Sequence, residues 1–268
     1  MTTVSIVGYG SIGESIAQQL LRNPGSVRLA SICVRAARWA QCRAALPNDV
    51  HVTSSVDEML DASPDIVVEA AGHEAVFTAG KPALQQGCSL YVLSVGALAD
   101  DAVRNELTQH ARAGNGQLMI PCGALAGFDG LLALREHGLK FVSYTSTKPP
   151  AAWHGTAIAK QHDLNRLTEP LIFFDGTARE AAVQFPRNAN LAAAVAIAGV
   201  GFNATRVRLV ADPETNRNTG LLVAEADSTR LELTVSGASF GENPKTSEIT
   251  GMSVVAALHN AAAVIRFI

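Results

Sequence analysis

Charge is scarce in this chain and no one sign of it dominates. Charged residues make up 17% of the sequence, against about a quarter in a typical soluble domain. Twenty-one Lys and Arg against 24 Asp and Glu leave a formal net charge of −3, so there is no basic field to draw in phosphate backbones or anionic lipid. Nucleic acid and membranes are therefore excluded as expected partners. Cysteine is equally sparse. The four residues, Cys33, Cys42, Cys88 and Cys122, form no CxxC pair and do not cluster with histidine as a zinc site requires. We read them as reduced thiols, with no metal expected. Long apolar runs are missing too: the longest, Leu191 to Phe202, is broken by glycines and is too short to span a bilayer. No charged start or apolar stretch of a signal peptide precedes the opening strand pattern. A cytoplasmic location is expected.

What is present is length and apolar content. At 268 residues, 48% of them hydrophobic, the chain can build roughly two domains of about 150 residues each. From residue 4 to about 123, short β-branched runs alternate with amphipathic stretches, the signature of βαβ units around a parallel sheet. Strands are predicted at Val4–Val7, Val27–Val34, Val50–Thr53, Asp65–Ala70, Ser89–Ser94 and Gln117–Pro121. Ile12, Ile16 and Leu20 place one apolar stripe on the helix after the first strand. After Gly123 the alternation breaks. Helices are predicted at Phe128–Glu136, Ala178–Gln184 and Ala189–Val200, and strands at Phe141–Thr147, Val207–Ala211, Leu221–Glu225 and Arg230–Val235. Lys148-Pro149-Pro150 opens a polar loop, and a last helix is predicted from Ser247 to Ile265. The expected fold is α/β: a Rossmann dinucleotide-binding domain over 1–122, a smaller α+β substrate and dimerisation domain over 123–245, and a C-terminal helix within 246–268 packing back on the first domain.

The strongest local signal is Gly8-Tyr9-Gly10-Ser11-Ile12-Gly13, a GxGxxG directly after a strand and directly before a helix. Gly8 permits the tight turn, Gly10 lets the backbone approach a pyrophosphate, and Gly13 allows close helix–strand packing, while the helix start at Ser11 and Ile12 offers N–H groups to the diphosphate. A glycine-rich turn can also merely connect two elements. At the end of the second strand, where an NAD enzyme carries Asp or Glu for the ribose hydroxyls, this chain has Arg35 and Arg38. Two guanidiniums suit a 2′-phosphate, so NADP stands beside NAD as the expected cofactor. Stacking of Arg35 on adenine is the alternative. Ala71-Gly72-His73 and Ser94-Val95-Gly96-Ala97 end two later strands with small residues that leave room for a nicotinamide ribose. His73 is a candidate for contact with the cofactor, or a first-turn structural residue.

Four further stretches, Lys148–Trp153, Phe185–Ala193, Ala211-Asp212-Pro213 and Glu242–Ser247, together with the GxGxxG and the Ala71-Gly72-His73 turn, resemble the L-aspartate dehydrogenase family over essentially the whole chain. The resemblance implies NAD(P)-dependent oxidation of L-aspartate to iminosuccinate, which hydrolyses to oxaloacetate and ammonia or feeds NAD biosynthesis. It also implies that Ala124 and Asn190 contact the nicotinamide cofactor. Read bottom-up, Asn190 opens an apolar helix, where its amide can bond a carboxamide or cap the helix. Asn188 is assigned to substrate binding with Asn243, Lys245, Thr246 and Ser247; the last four read as a helix start carrying one ammonium, an anion site for a dicarboxylate, or as simple capping. Lys148 is a weaker candidate for the second carboxylate.

One position departs from the family. The run after Ala211-Asp212-Pro213 should end in Asn-x-His, whose imidazole is the acid/base; here it is Asn216-Arg217-Asn218-Thr219-Gly220. Gly220 has no side chain to move a proton, so normal NAD(P) binding with slow or no oxidation of aspartate is expected, with Gly220→His raising turnover and His73 next in line for the proton chemistry. Two other readings stand beside this one: a related NAD(P)-dependent oxidoreductase acting on another amino or keto acid, and a non-catalytic NAD(P)-binding protein. A homodimer through the second domain's sheet is expected.

Overall fold

A computed structural model of the chain describes every residue except Gly241, Glu242, Glu248 and Ile268; for Ser239, Phe240 and 243–246 it describes the backbone alone. The chain divides into two compact units, Met1–Pro121 with Gly251–Ile268, and Cys122–Thr250.

The first unit runs β1 (Thr2–Val7), α1 (Ser11–Arg22), β2 (Val27–Cys33), α2 (Trp39–Ala44), β3 (His51–Thr53), α3 (Val56–Asp61), β4 (Ile66–Glu69), α4 (His73–Thr78), α5 (Gly80–Gln85), β5 (Ser89–Val92), α6 (Asp101–Gly114) and β6 (Gln117–Met119). Its strands lie side by side in the order β3-β2-β1-β4-β5-β6, every neighbouring pair parallel. This is the doubly wound order of the Rossmann fold, in which the connections reverse direction between β1 and β4. Parallel strands buried on both faces are near-continuously apolar, and Val4, Ile6, Ile32 and Val68 are fully buried. On α1, Ile16 and Leu20 recur every four residues and enter this core. The final helix, numbered α11 below, adds Val254, Val255 and Leu258 to the same core.

The second unit holds α7 (Phe128–Glu136), β7 (Phe141–Lys148), α8 (Ile158–Gln161), β8 (Leu171–Thr177), α9 (Ala178–Gln184), α10 (Asn190–Ala198), β9 (Arg206–Ala211), β10 (Asn218–Glu225), β11 (Arg230–Gly237), β12 (Ser239–Phe240) and β13 (Asn243–Ser247); α11 then spans Ile249–Ala262. A mixed sheet runs β11-β10-β7-β9-β8. Alternation along β7 and β10 buries Val142, Tyr144 and Ser146 on one and Leu222 and Ala224 on the other. Thr177 starts α9 with a reciprocal capping box, accepting from the Glu180 N–H while the Glu180 carboxylate accepts from the Thr177 N–H.

The structure corrects the sequence reading in three places. Strand β8 falls where no strand was expected. The stretch after Pro149-Pro150 is not all loop, because short helical turns at Pro150–Trp153, Ile158–Gln161 and Leu164–Arg166 interrupt it. Residues 243–247 form a strand hairpin with β12 instead of a helix start, and the last helix begins at Ile249 and ends at Ala262. Pro244, with no N–H to give, is compatible with a two-stranded edge pair of this kind.

Candidate active site

The glycine-rich loop sits at the switch point between β1 and β4. Gly8 takes φ +99°, and a Cβ there would lie 2.7 Å from the Ala70 carbonyl oxygen, so only glycine fits. A Cβ on Gly13 would come within 2.2 Å of the Gly8 oxygen. Gly10 differs: nothing lies within 4 Å of its would-be Cβ. The fold itself therefore does not require a glycine at position 10, and the open space there fits a diphosphate brought against the backbone. Directly beyond it, α1 starts at Ser11 with no side-chain cap, which leaves the Ser11 and Ile12 N–H groups to a ligand.

Arg35 and Arg38 both lie exposed just past β2. The Arg38 guanidinium reaches back to donate to the Tyr9 carbonyl in the loop at 3.5 Å, so a cation stands at the edge of the nucleotide cradle. Sequence reasoning passed over the residue that builds the neighbouring turns. Glu69 ends β4 fully buried, and its carboxylate accepts from the N–H groups of Ala71 (2.8 Å) and Gly72 (2.7 Å), and from Ser94 through both N–H (2.9 Å) and hydroxyl (3.0 Å). The one signal it gave was an acid closing an otherwise apolar strand. His73 follows Gly72, itself at φ +138°, and the His73 Nε2 is buried without a partner among the described residues.

In the second unit, Gly123 packs on the start of α10: a Cβ there would lie 3.1 Å from Leu191 Cδ2. Ala124 follows Gly123 in the chain and Asn190 precedes Leu191. The cap of α10 is Ala189, with no side-chain cap, so Asn190 is the first helical residue and the capping role expected of it is not the one it plays. Asn188 Nδ2 is buried with no partner among the described residues. Of the substrate candidates on the hairpin, Ser247 is buried with its Oγ 3.2 Å from the would-be Cβ of Gly237. The side chains of Asn243, Lys245 and Thr246 lie outside what the structure describes.

Gly220 lies in β10 opposite Val235 and Ser146. It does not take a positive φ, so the backbone strain considered for this position does not arise. Crowding takes its place: a Cβ at 220 would lie 3.1 Å from Tyr144 Oη and 3.2 Å from Tyr144 Cε2. The Tyr144 hydroxyl, bonded to Ser146, is pushed up to about 12 by burial. On the same face of β7, the Lys148 ammonium stands 5.4 Å from the centre of the Trp153 ring, and burial brings it down to about 8.

Comparison with known proteins gives these features a context. Residues 8–121 match the family model described as the NAD binding domain of homoserine dehydrogenase, and residues 129–261 match that described as aspartate dehydrogenase, C-terminal. The chain is 41% identical over 266 residues to an L-aspartate dehydrogenase of Ralstonia pickettii, covering 98% of each. It is 39% identical over 257 residues to one of Serratia proteamaculans, covering 96% of each. Among solved structures, aspartate dehydrogenase from Thermotoga maritima superposes with a TM-score of 0.74 at 24% identity, covering 100% of this chain and 99% of that one. A hyperthermophilic archaeal homoserine dehydrogenase in complex with NADPH reaches 0.60 at 14% identity, covering 97% of each. At those identities the structural likeness shows the fold alone.

Proposed function

The chain belongs to the L-aspartate dehydrogenase family, and from that premise we propose that it oxidises L-aspartate to iminosuccinate with NAD or NADP. The observation that carries the reading is the cradle at Gly10, which the fold leaves open. When bound, the nicotinamide supplies the acceptor for the hydride of the substrate Cα–H. The chain's own residues do the rest. The start of α1 binds the diphosphate, Glu69 fixes the two turns that receive the nicotinamide half, and Arg35 with Arg38 meets a 2′-phosphate. Ala124 and Asn190 orient the carboxamide end. Asn188 and the 243–247 strand hold the dicarboxylate, which supplies binding energy for aligning the Cα–H.

The product hydrolyses to oxaloacetate and ammonia or enters NAD biosynthesis. A cytoplasmic homodimer is part of this reading, supported by large apolar side chains on the second unit's sheet, with Phe141 41% and Ile172 56% exposed. The missing imidazole at Gly220 favours one second reading, a protein that binds NAD(P) without turning over aspartate. The test is the absorbance of reduced cofactor with L-aspartate, run separately with NAD and NADP. Turnover supports the dehydrogenase, while tight nucleotide binding without turnover of aspartate leaves the second reading.

A further inference from the structure

We propose that Lys148 is the catalytic acid/base of the aspartate reaction in this chain, supplying from β7 the proton transfer that residue 220 of β10 has no side chain to perform. The inference rests on the aspartate dehydrogenase reading above. Three features of the second unit lead to it.

The first is the inner face of β7, where Tyr144, Ser146 and Lys148 follow one another at a spacing of two and so point the same way. Register sets Gly220 beside Ser146, which places Lys148 one step further along the row that an imidazole at 220 would adjoin. The second is that Tyr144 fills the space in front of Gly220, its Oη 3.1 Å from the would-be Cβ. Raised to about 12 by burial, its hydroxyl keeps its proton at neutral pH and cannot be the base. The histidines of this unit, His137, His154 and His162, are all exposed. The third is the setting of the amine. Trp153 is fully buried and donates its indole N–H to the Val210 carbonyl at 3.0 Å, so the ring against which Lys148 lies is fixed. Burial brings the ammonium down toward neutral pH, so that it can give up and take back a proton near the working pH, as an acid/base must.

After hydride loss the substrate carries a C=NH₂⁺ group. A water oxygen bonds to that carbon, the C=N π pair moves to nitrogen, and the released water proton goes to Lys148 Nζ, giving a carbinolamine. The Lys148 ammonium then protonates the amino nitrogen. The C–N bond breaks as the hydroxyl oxygen forms C=O, and the hydroxyl proton returns to Lys148 as ammonia leaves.

The experiment is steady-state kinetics of the parent, Lys148→Ala and Lys148→Met with L-aspartate and NAD(P), with reduced-cofactor binding as the check of folding. We expect kcat to fall about 10²- to 10⁴-fold in both variants with the aspartate KM little changed. Methylamine and ethylamine should restore Lys148→Ala, where space is left for them, and not Lys148→Met, where it is filled. A raised KM with kcat retained would make Lys148 a carboxylate anchor and overturn the proposal. So would a folded Lys148→Ala that no amine rescues. If the alanine variant does not fold, the kcat and KM of Lys148→Met decide by the same criterion. A parent inert toward aspartate overturns the dehydrogenase reading and this inference with it; an active parent with undisturbed variants overturns this inference alone.

Discussion

Glu69 grips Ser94 twice, one carboxylate oxygen taking its N–H at 2.9 Å and the other its hydroxyl at 3.0 Å. Because the same carboxylate also takes the N–H groups of Ala71 and Gly72, the ends of β4 and β5 are joined through one buried side chain. Glu69→Gln would turn an NH₂ toward those donors. Each hydrogen bond to a charged group is worth about 1.5–3 kcal/mol, so we expect a loss of at least that much in urea unfolding together with weaker NAD(P) binding by calorimetry. An unchanged unfolding midpoint would refute the clamp.

Two glycines of the loop, Gly10 and Gly13, should separate in their effects. Gly10→Val meets open space in the fold but stands where the pyrophosphate must approach, so nucleotide affinity should vanish while the melting temperature holds. Gly13→Ala drives a Cβ into the Gly8 oxygen and should destabilise the whole first unit. Calorimetric titration beside thermal melts reads both.

Cofactor choice is expected to lie in Arg35, with Arg38 at the loop's edge as support. If Arg35 holds a 2′-phosphate, Arg35→Ala weakens NADP by roughly 1.5–3 kcal/mol more than NAD. Equal losses for the two nucleotides would indicate stacking on adenine.

Much of this was legible in the sequence, for reasons that differ by element. The inner parallel strands β1, β2 and β4 show as β-branched runs because they are largely buried on both faces. Strand β8 was hidden: Leu171-Ile172-Phe173-Phe174 is apolar without alternation, and a register shift between Ile172 and Phe174 breaks the period of two. Phe173 packs edge-on against Trp153 and Phe185, and Phe174 against Phe185, contacts no local pattern reveals. Among the site residues, the glycine loop was readable because its spacing is local. Glu69 and Tyr144 act on residues distant in the chain, Ser94 and Gly220, and only strand pairing brings those together.

Lys148 should give the protein a pH dependence of opposite sense to the usual lysine ion pair. Its ammonium sits near 8 in the folded chain against 10.5 for the free side chain, so folding expels a proton. The cost is full below pH 8 and fades as pH rises toward 10.5, up to about 3 kcal/mol by linkage. Lys148→Met should therefore be the more stable protein at pH 7, with the gap closing by pH 10.5. Equal gaps at both pH values in chemical denaturation would contradict the burial of that charge.

Placing an imidazole at position 220 is expected to cost stability. Gly220→His must displace Tyr144, and overpacking of this kind costs about 1–3 kcal/mol. With Lys148 carrying the proton, the variant should gain little in kcat. A folded Gly220→His protein with a large gain on aspartate would return the acid/base role to position 220.

The packing of α11 into the core of the first unit also bears on how the molecule is made. Val254, Val255 and Leu258 share a core with Ile16 and Leu20, yet the ribosome delivers them only after the whole second unit. The nucleotide-binding unit thus cannot complete itself until the second unit has been synthesised, whereas residues 122–250 are contiguous and can close first. Long-range closure of this kind is slow. A nascent chain stalled before α11 should leave the Ile16 and Leu20 face of α1 open to chaperones.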